Sequence, residues 1–250
     1  MVSSNPSMIN TVLITGISKG IGAALCTACL QRGYKVCGIS RSLPVYDHPN
    51  LLFEQADLTQ FDQVITTVDR LKQRVQSDSL DIVFLNAGTF GDPPAYADDV
   101  SMDAFLKVFM INVAAVKATI DACLSLDWRP KLALASASIS SQRPRPGIMS
   151  YATSKAALNA LLKAYQLENP DIHFLPLGLC NVRTDTHEAM MKVDETLPEL
   201  YTLKQRAKQL GYVVSPEQRA ADVMTIIDKL PQLALTKGQF YEIRELLENV

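Results

Sequence analysis

The sequence predicts an α/β protein with a single doubly wound parallel sheet and helices on both faces, and three observations support this fold class. Short apolar, β-branched runs alternate with amphipathic helical patterns along the 250 residues. The run Ile82-Val83-Phe84-Leu85 is apolar throughout, as expected for a strand buried on both sides. A glycine-rich turn joins the first predicted strand to the first predicted helix. We therefore expect one domain that comprises residues 1–250.

In the first half of the chain, this alternation predicts four strands and three helices. The strands are 11–15, 34–40, 51–55 and 81–85. The helices are 21–32, 61–76 and 101–126. Gly33 follows the first helix, at a position where a left-handed residue commonly ends a helix. Helical spacing is evident in the second at Val64, Val68, Leu71 and Val75.

The second half continues the alternation. The predicted strands are 132–135, 172–175 and 239–243. The predicted helices are 151–167, which stops before Asn169-Pro170, and 216–230. Residues 186–214 depart from this pattern and form an amphipathic, methionine-containing stretch. We expect this stretch to be a mobile lid over a substrate.

Composition and charge exclude several classes of protein. Hydrophobic residues make up 48% and charged residues 20% of the chain, which is typical of a globular domain. A net charge of −2 argues against a nucleic-acid partner, because phosphate binding requires clustered positive charge. The sequence shows no apolar run that we interpret as membrane-spanning, so we expect no membrane partner.

The cysteines and histidines indicate a cytoplasmic protein without a metal. The five cysteines are scattered, and Cys26-x-x-Cys29 lies in an apolar helical pattern, so we interpret this pair as buried free thiols. The polar N-terminal residues 1–7 lack a signal-peptide core. The three histidines, which lack ligand spacing, are His48, His173 and His187.

The glycine-rich turn predicts a site for the pyrophosphate of a dinucleotide. It lies between a strand and a helix, where glycines let the backbone approach phosphate and the helix N-terminus offers free N–H groups. The residues expected to bind there are Gly16, Ser18, Lys19, Gly20, Ile21 and Gly22.

The end of the second predicted strand indicates which dinucleotide is bound. An acidic residue there would bind a free ribose 2′-hydroxyl, but this chain has Ser40-Arg41-Ser42. Lys19 is expected to point toward the same ribose. Two cations and two hydroxyls suit a 2′-phosphate, so NADP(H) is favoured over NAD(H).

Tyr151 and Lys155 form the most informative motif of the chain. Their spacing of four residues places both side chains on one helix face. An ammonium ion near a buried tyrosine favours the phenolate and so eases proton transfer. Ser138 precedes the tyrosine by thirteen residues. Ser136, a rival by residue type, precedes it by two residues more, so we favour Ser138.

The order and spacing of these motifs resemble the short-chain dehydrogenase/reductase family over nearly the whole chain. The resemblance implies a Rossmann fold that binds NAD(P). It implies that Tyr151 is the general acid in carbonyl reduction and the base in alcohol oxidation. It implies that Lys155 lowers the pKa of Tyr151 and bonds the nicotinamide ribose, and that Ser138 bonds the substrate oxygen. Asn112 matches a helix asparagine that supports a water-linked proton path to Lys155.

The same resemblance assigns further cofactor contacts. Asp57-Leu58 matches the position beside the adenine amino group, and Asn86-Ala87-Gly88 the sheet edge beside the adenine ribose. Val182 and Thr184 match the loop at the nicotinamide carboxamide. The family usually has Pro-Gly shortly before that threonine, whereas this chain has Leu179-Cys180.

These residues predict an NADP-dependent carbonyl reductase or alcohol dehydrogenase. The alternatives are a non-catalytic NADP-binding regulatory protein of the same fold and an extended sugar-nucleotide epimerase or dehydratase, for which the chain has little room. The substrate is expected to be a small or medium apolar ketone or aldehyde. The expected pocket residues, besides 186–214, are Phe90, Ile139, Gln142, Ile148 and Met149.

We also expect a homodimer or homotetramer. The predicted helices 101–126 and 151–167 are apolar over much of their circumference, so that one face covers the sheet and the other requires a partner. In the resembled family, these two helices commonly form a shared four-helix interface.

Overall fold

The computed structural model describes residues 11–249 and contains a seven-stranded sheet. The strands are β1 Thr11–Thr15, β2 Lys35–Ser40, β3 Leu51–Gln55, β4 Leu80–Leu85, β5 Pro130–Ala137, β6 His173–Gly178 and β7 Tyr241–Glu242. They are parallel and lie in the order β3-β2-β1-β4-β5-β6-β7. The polar segment 1–7, interpreted above as lacking a signal-peptide core, lies outside the described residues.

The strand order reverses between β1 and β4. From β1 the chain proceeds outward to β2 and β3, then crosses to β4 and continues in the opposite direction. Connections that leave the carboxyl ends of such strands diverge, and a crevice opens between them. The glycine turn follows β1 and Asn86 follows β4. Both predicted cofactor motifs therefore lie at this crevice.

Helices cover both faces of the sheet, which confirms the predicted fold class. They are α1 Gly20–Gln31, α2 Phe61–Val75, α3 Met102–Phe109, α4 Ala115–Ser125, α5 Met149–Glu168, α6 Asp185–Met190, α7 Pro198–Arg206, α8 Pro216–Leu233 and α9 Ile243–Leu247. Helices α2, α4 and α5 contribute to the apolar core on one face, and α1, α8 and α9 to the core on the other. In β1, Leu13 points into the first core and its neighbours Val12 and Ile14 into the second, as the two-residue period of a strand requires.

The predicted helix 101–126 is interrupted by a feature that apolar spacing does not reveal. Between α3 and α4 the backbone forms a π-helical turn, Met110–Ala114, that contains Asn112. A π turn adds one residue to a helical turn but keeps helical backbone angles, so the helix continues on the far side.

The C-terminal region also differs from the sequence prediction. The predicted strand 239–243 pairs only at Tyr241–Glu242, and Ile243 begins α9, where its side chain is fully buried. The predicted helix 216–230 continues to Leu233. Segment 186–214 contains most of α6 and all of α7.

The combined helix Met102–Ser125 is apolar and long enough to cross a membrane by length and composition, contrary to our sequence expectation. Its most apolar window has a mean hydropathy of 1.5, and 44% of that window is buried within the protein. The helix packs against α2 and α5 and contributes to the core beside the sheet. A helix that covers a buried sheet meets the same criterion, so we assign it to the core.

The structure supports the interpretation of Cys26 and Cys29 as buried thiols. Both lie in α1 within the apolar core and are free. Burial raises the pKa of the Cys29 thiol to about 12, which makes it unreactive at neutral pH.

Candidate active site

The glycine turn is shaped by close packing at its third glycine. A Cβ at Gly22 would lie 2.1 Å from the carbonyl oxygen of Gly16 and 2.5 Å from the amide nitrogen of Asn86. Gly20 has φ +57°, a conformation that favours glycine. Ser18 and Lys19 complete the turn.

The first turn of α1 carries no acidic side chain, and Lys19 provides no side-chain cap. The helix N-terminus therefore faces the crevice with N–H groups available to an anion. Ile21, in this first turn, packs its side chain against the core on the α1 face. The predicted pyrophosphate site thus has the backbone geometry that it requires.

Asn86 ties the glycine turn to the neighbouring strands. Its amide nitrogen donates to the carbonyl oxygens of Thr15 at 3.2 Å and Gly16 at 3.4 Å. Its amide oxygen accepts from the Ser136 hydroxyl at 3.2 Å. The backbone nitrogens of Asn86 and Ala87 both donate to the Thr15 hydroxyl. This residue therefore fixes the edge of the crevice, in agreement with the steadying role that the family resemblance implies.

The residues predicted to recognise the adenosine end occupy three neighbouring loops. The backbone around Arg41 is held because Gln55 donates to the Arg41 carbonyl at 2.8 Å and the Ser40 hydroxyl to the Ser42 carbonyl at 2.6 Å. Asp57 accepts two hydrogen bonds from Thr59, which lower its pKa, and the nearby charge of Arg41 lowers it further.

Two predicted contacts at this end differ from expectation. Leu58 is buried and belongs to the core on the α2 face, so only its backbone is placed for a cofactor contact. The Lys19 ammonium forms an ion pair with Asp185 at the start of α6. Lys19 therefore reaches across the crevice toward α6, whereas we expected it to point at the adenosine ribose.

Ser138, Tyr151 and Lys155 come together at the carboxyl ends of β5 and β6. The Ser138 hydroxyl lies close enough to the Tyr151 hydroxyl to lower the pKa of Tyr151. The Lys155 ammonium donates to the Ser136 carbonyl at 2.8 Å and lies 5.7 Å from the centre of the Tyr151 ring. Tyr151 and Lys155 are 8% and 5% exposed. The structure thus unites the three predicted catalytic side chains in a nearly water-free position.

The pKa directions correct one expectation. Burial raises the pKa of Tyr151, and the hydrogen bond from Ser138 offsets only part of that rise. Burial also lowers the pKa of Lys155 to about 8. The predicted lowering of the Tyr151 pKa by Lys155 is not seen, because the ammonium bonds the Ser136 carbonyl and desolvation dominates for both groups.

Asn112 is a structural tie within the site. Its amide oxygen accepts from the Thr89 backbone nitrogen at 2.8 Å, and its amide nitrogen donates to the Thr89 carbonyl at 2.9 Å and the Ser154 hydroxyl at 3.0 Å. A Cβ on Gly88 would lie 3.2 Å from the Asn112 amide oxygen and 3.7 Å from the Lys155 ammonium, so Gly88 lies against both groups. The water-linked proton path through Asn112 stays a prediction.

The loop from Leu179 to Thr184 closes the other side of the crevice. Val182 pairs with Val214 through an isolated parallel bridge. Thr184 caps α6, and its methyl carbon would lie 3.3 Å from a Cβ on Gly20. The predicted nicotinamide contact therefore lies directly opposite the glycine turn.

A small apolar cleft adjoins Tyr151. The rings of Phe90 and Tyr151 are 5.3 Å apart, and Val193, Leu197 and Leu200 of the predicted lid pack against the same cluster. The free space is about 30 Å³. Its lining comprises Phe90, Asp92, Pro93, Ala95, Val100, Ala104, Val108, Gly147, Ile148, Met149, Ser150 and Tyr151. Of the expected pocket residues, Ile139, Gln142 and the segment 186–214 do not line it.

Sequence reasoning missed two acidic partners near the site, Asp185 and Glu242. Asp185 pairs with Lys19 across 166 residues of sequence, and Glu242 accepts a hydrogen bond from Cys180 across 62 residues. No local motif marks such pairs. For Cys180, the one signal in the sequence was the departure from the usual Pro-Gly of the family. A residue that replaces this glycine requires a contact that holds its backbone in place.

A sequence model described as short chain dehydrogenase matches residues 10–192. The chain belongs to the short-chain dehydrogenase family. A benzil reductase ((S)-benzoin forming) from Bacillus subtilis is 23% identical over 249 residues, which cover 94% of this chain and 98% of the relative.

Solved structures show the same short-chain dehydrogenase fold. A 3-ketoacyl-(acyl-carrier-protein) reductase from Brucella melitensis, complexed with NADH, aligns with a TM-score of 0.74 at 20% identity, covering 93% of this chain and 96% of that chain. An alcohol dehydrogenase from the archaeon Thermococcus sibiricus, complexed with 5-hydroxy-NADP, aligns with a TM-score of 0.70 at 22% identity, covering 94% of this chain and 96% of that chain.

This short-chain dehydrogenase is therefore an oxidoreductase of a fold that binds nicotinamide cofactors. Its own residues fit such a cofactor. The tight packing at Gly22 fixes the shape of the turn, and the free N-terminus of α1 and the position of Thr184 opposite Gly20 form a cradle for a pyrophosphate.

Proposed function

We propose that the protein is an NADP(H)-dependent carbonyl reductase for apolar ketones or aldehydes. One observation carries the proposal: Ser138 and Lys155 lie beside Tyr151, and Tyr151 lines an apolar cleft. This arrangement supports hydride transfer to a carbonyl with proton donation by Tyr151.

Each proposed catalytic side chain has a separate role in the reduction of the substrate carbonyl. The bound cofactor supplies the hydride. Burial keeps Tyr151 protonated at neutral pH, which suits a general acid that donates its hydroxyl proton to the substrate oxygen. Ser138 donates a second hydrogen bond to that oxygen and stabilises its developing negative charge. Lys155 contributes a positive charge beneath Tyr151 and is placed to bind the nicotinamide ribose.

The preference for NADP(H) rests on charge at the end of β2. Arg41 follows Ser40 there, and no acidic residue occupies the position that would bind a free 2′-hydroxyl. Arg41 and Ser42 are exposed and reach the crevice from a loop that Gln55 holds in place. Lys19 contributes once its ion pair with Asp185 is exchanged for the 2′-phosphate.

The cleft favours apolar, preferably aromatic, ketones. The Phe90 ring lies tilted against Tyr151, and the lid contributes only apolar side chains to this cluster. Such walls bind ring systems and reject charged substrates, which would lose their hydration. The relative named benzil reductase acts on a diketone with two phenyl rings, which fits the same chemistry.

A screen of NADPH oxidation tests the proposal. Benzil, monoaryl ketones, aliphatic ketones, keto acids and aldoses are each assayed with NADPH and with NADH, and Tyr151→Phe serves as the matched inactive control. We expect turnover with aryl ketones and NADPH. Turnover confined to keto acids or aldoses would refute the substrate class, and higher efficiency with NADH would refute the cofactor preference.

We further propose that segment 186–214 is a lid. The free space of about 30 Å³ beside Tyr151 has room for little more than a water molecule, so a ketone enters only if neighbouring elements move. Helices α6 and α7 pack against the cluster that contains Tyr151 and are the elements that we expect to move. Hydrogen exchange should slow across 186–214 when cofactor and substrate bind. Full protection in the free protein, unchanged on binding, would contradict a lid.

We also propose a cytoplasmic homodimer or homotetramer of single-domain subunits. Leu106 and Met110 on the helix formed by α3 and α4, and Leu167 on α5, are exposed apolar side chains that a second copy would cover. Light scattering at micromolar concentration should give a multiple of the monomer mass, and a monomeric mass would contradict this assembly.

A further inference from the structure

The backbone at Cys180 has an unusual conformation. Its φ is +58°, in the left-handed region that side chains other than hydrogen adopt only when their surroundings hold them there. The other described non-glycine residues with positive φ are Gln76, Asp127 and Ala234, and all three lie at or just beyond helix C-termini. Cys180 instead follows the end of β6, at the position where the family usually has glycine.

The side chain of Cys180 is anchored to the last strand. Its thiol donates to the Glu242 carboxylate at 3.1 Å. Glu242 is the register partner of Gly178, two residues before Cys180, and is 8% exposed. Burial and the bond to Glu242 raise the pKa of Cys180 to about 11, so the thiol stays a protonated donor at neutral pH.

Charged and hydrogen-bonding neighbours lower the pKa of Glu242 and keep its carboxylate ionised. Arg244 donates to the same carboxylate oxygen from two guanidinium nitrogens, at 2.7 and 3.0 Å. Arg219 is 3% exposed, forms an ion pair with Asp222 at 3.2 Å and is coupled electrostatically to Cys180 and Glu242. A buried carboxylate between such charges is a rigid anchor for the thiol.

The far half of the same loop is held by a different element. The Val214 backbone nitrogen donates to the Asn181 carbonyl at 3.1 Å, and the Arg183 nitrogen donates to the Val214 carbonyl at 3.0 Å. The loop from Leu179 to Thr184 is thus fixed at two points, by backbone bonds after Cys180 and by the thiol bond at Cys180 itself.

We propose that Glu242 is a positioning residue that acts through the Cys180 thiol to hold this loop in the shape that presents Thr184 to the nicotinamide. The thiol bond to Glu242 replaces the conformational freedom that glycine supplies in the usual Pro-Gly of the family. Glu242 itself touches neither substrate nor cofactor. The inference rests on the proposed function, because it assigns the loop to the binding of a nicotinamide cofactor.

Three substitutions of Cys180 separate the bond from the backbone strain. Cys180→Ala keeps the strain and loses the donor, so the KM and Kd for NADPH should rise about tenfold, with kcat changed less. Cys180→Ser keeps a donor and Cys180→Gly removes the strain, so both should bind NADPH within about twofold of the wild type. An alanine variant like the wild type, or a glycine variant as weak as the alanine variant, would overturn the proposal.

Glu242→Gln in the wild-type and Cys180→Gly backgrounds tests whether the carboxylate acts through the thiol. The substitution should weaken NADPH binding in the first background and much less in the second. Equal losses in both would overturn the proposal. If Cys180→Ala does not fold, Glu242→Gln in these two backgrounds still tests whether Glu242 acts through the thiol. Gln76→Gly is the matched control, because it relieves a left-handed residue far from the crevice and should leave NADPH binding unchanged.

A thiol reagent gives a readout without cofactor or substrate. Cys180 is half-buried and the other four cysteines are buried, so the fast phase of modification reports on Cys180. Glu242→Gln should accelerate that phase, and an unchanged rate would overturn the proposal. If the wild type binds neither NADPH nor NADH, the proposed function fails, whereas normal binding without the Cys180 pattern refutes only the role of Glu242.

Discussion

The two loops that border the cofactor crevice are held in place by different means. The glycine turn is fixed over a short distance, because Gly22 lies against the Gly16 carbonyl and Asn86 bonds to the end of β1. The loop from Leu179 to Thr184 is fixed by Val214 and Glu242, which come from later parts of the chain. The first loop can therefore be recognised from its own sequence motif. The residues that constrain the second loop lie in other parts of the sequence.

This difference indicates how each loop should respond to change. A turn held by the absence of a side chain tolerates almost no substitution at the packed glycine. A loop held by individual side-chain contacts can be loosened gradually. The Lys19–Asp185 ion pair connects the two loops. Substitutions at these positions test the comparison, beginning with the largest expected effect.

Tyr151→Phe should stop catalysis while both loops stay intact. Loss of the hydroxyl removes general acid catalysis, which is worth ~10²–10⁴-fold in kcat. NADPH affinity should be unchanged, because the ring and its contact with Phe90 remain. Steady-state kinetics and a fluorescence titration with NADPH measure the two effects. A variant that keeps more than about a tenth of the turnover would place the proton donor elsewhere.

Lys155→Met should stabilise the free protein at neutral pH. Burial lowers the Lys155 pKa from 10.5 to about 8, so its charge costs stability below pH 8 and the cost disappears as the pH rises to 10.5. The variant should exceed the wild type by about 3 kcal/mol in the free energy of unfolding at pH 7. Denaturant unfolding at pH 7 and pH 10 measures this difference in the free energy of unfolding between the variant and the wild type.

That difference should narrow to about 1 kcal/mol at pH 10, because the wild-type lysine is then neutral in the folded state but still mostly charged in the unfolded chain. If the difference in the free energy of unfolding is the same at both pH values, the stabilisation comes from packing of the methionine. In the same variant, NADPH binding should weaken, since the ribose contact is lost.

Gly22→Ala should damage the glycine turn more than any single change in the opposite loop. Forcing a methyl group against the Gly16 carbonyl costs about 1–3 kcal/mol, which corresponds to a loss of NADPH affinity of about fivefold to 150-fold. Gly33→Ala is the control, because it strains a left-handed residue at φ +78° but its Cβ meets nothing within 4 Å, so NADPH affinity should not change. Similar NADPH affinities for the two variants would contradict the packed geometry of the turn.

Asp185→Asn should produce the smallest effect and act on the connection between the loops. The Lys19–Asp185 pair is exposed, with side chains 73% and 71% accessible, so its loss should change the fold little. Freed Lys19 should bind the 2′-phosphate and tighten NADPH by up to about fivefold at low salt. Titrations with NADPH and NADH distinguish the cause: an equal gain for both would indicate a general effect of charge, because only NADPH carries the 2′-phosphate.

The same contrast between local and distant constraints explains which parts of the fold were predicted correctly. Strand β1 has the predicted bounds 11–15, because a short β-branched run that ends at a glycine turn leaves one interpretation. The π turn at Asn112 and the shortening of the last strand to Tyr241–Glu242 were not predicted. Both depend on which distant groups accept hydrogen bonds, and periodicity carries no such information.

The sequence by itself determined the alternating α/β architecture, the family, the glycine turn and the spacing of Ser138, Tyr151 and Lys155. These features arise from local backbone preferences and from periodic burial, which neighbouring residues encode. Only the tertiary structure decided that burial raises the Tyr151 pKa, that Lys19 pairs with Asp185 and that Glu242 anchors Cys180. Desolvation and ion pairing depend on the groups that folding brings together from distant positions, so their effects appear only when the chain is packed.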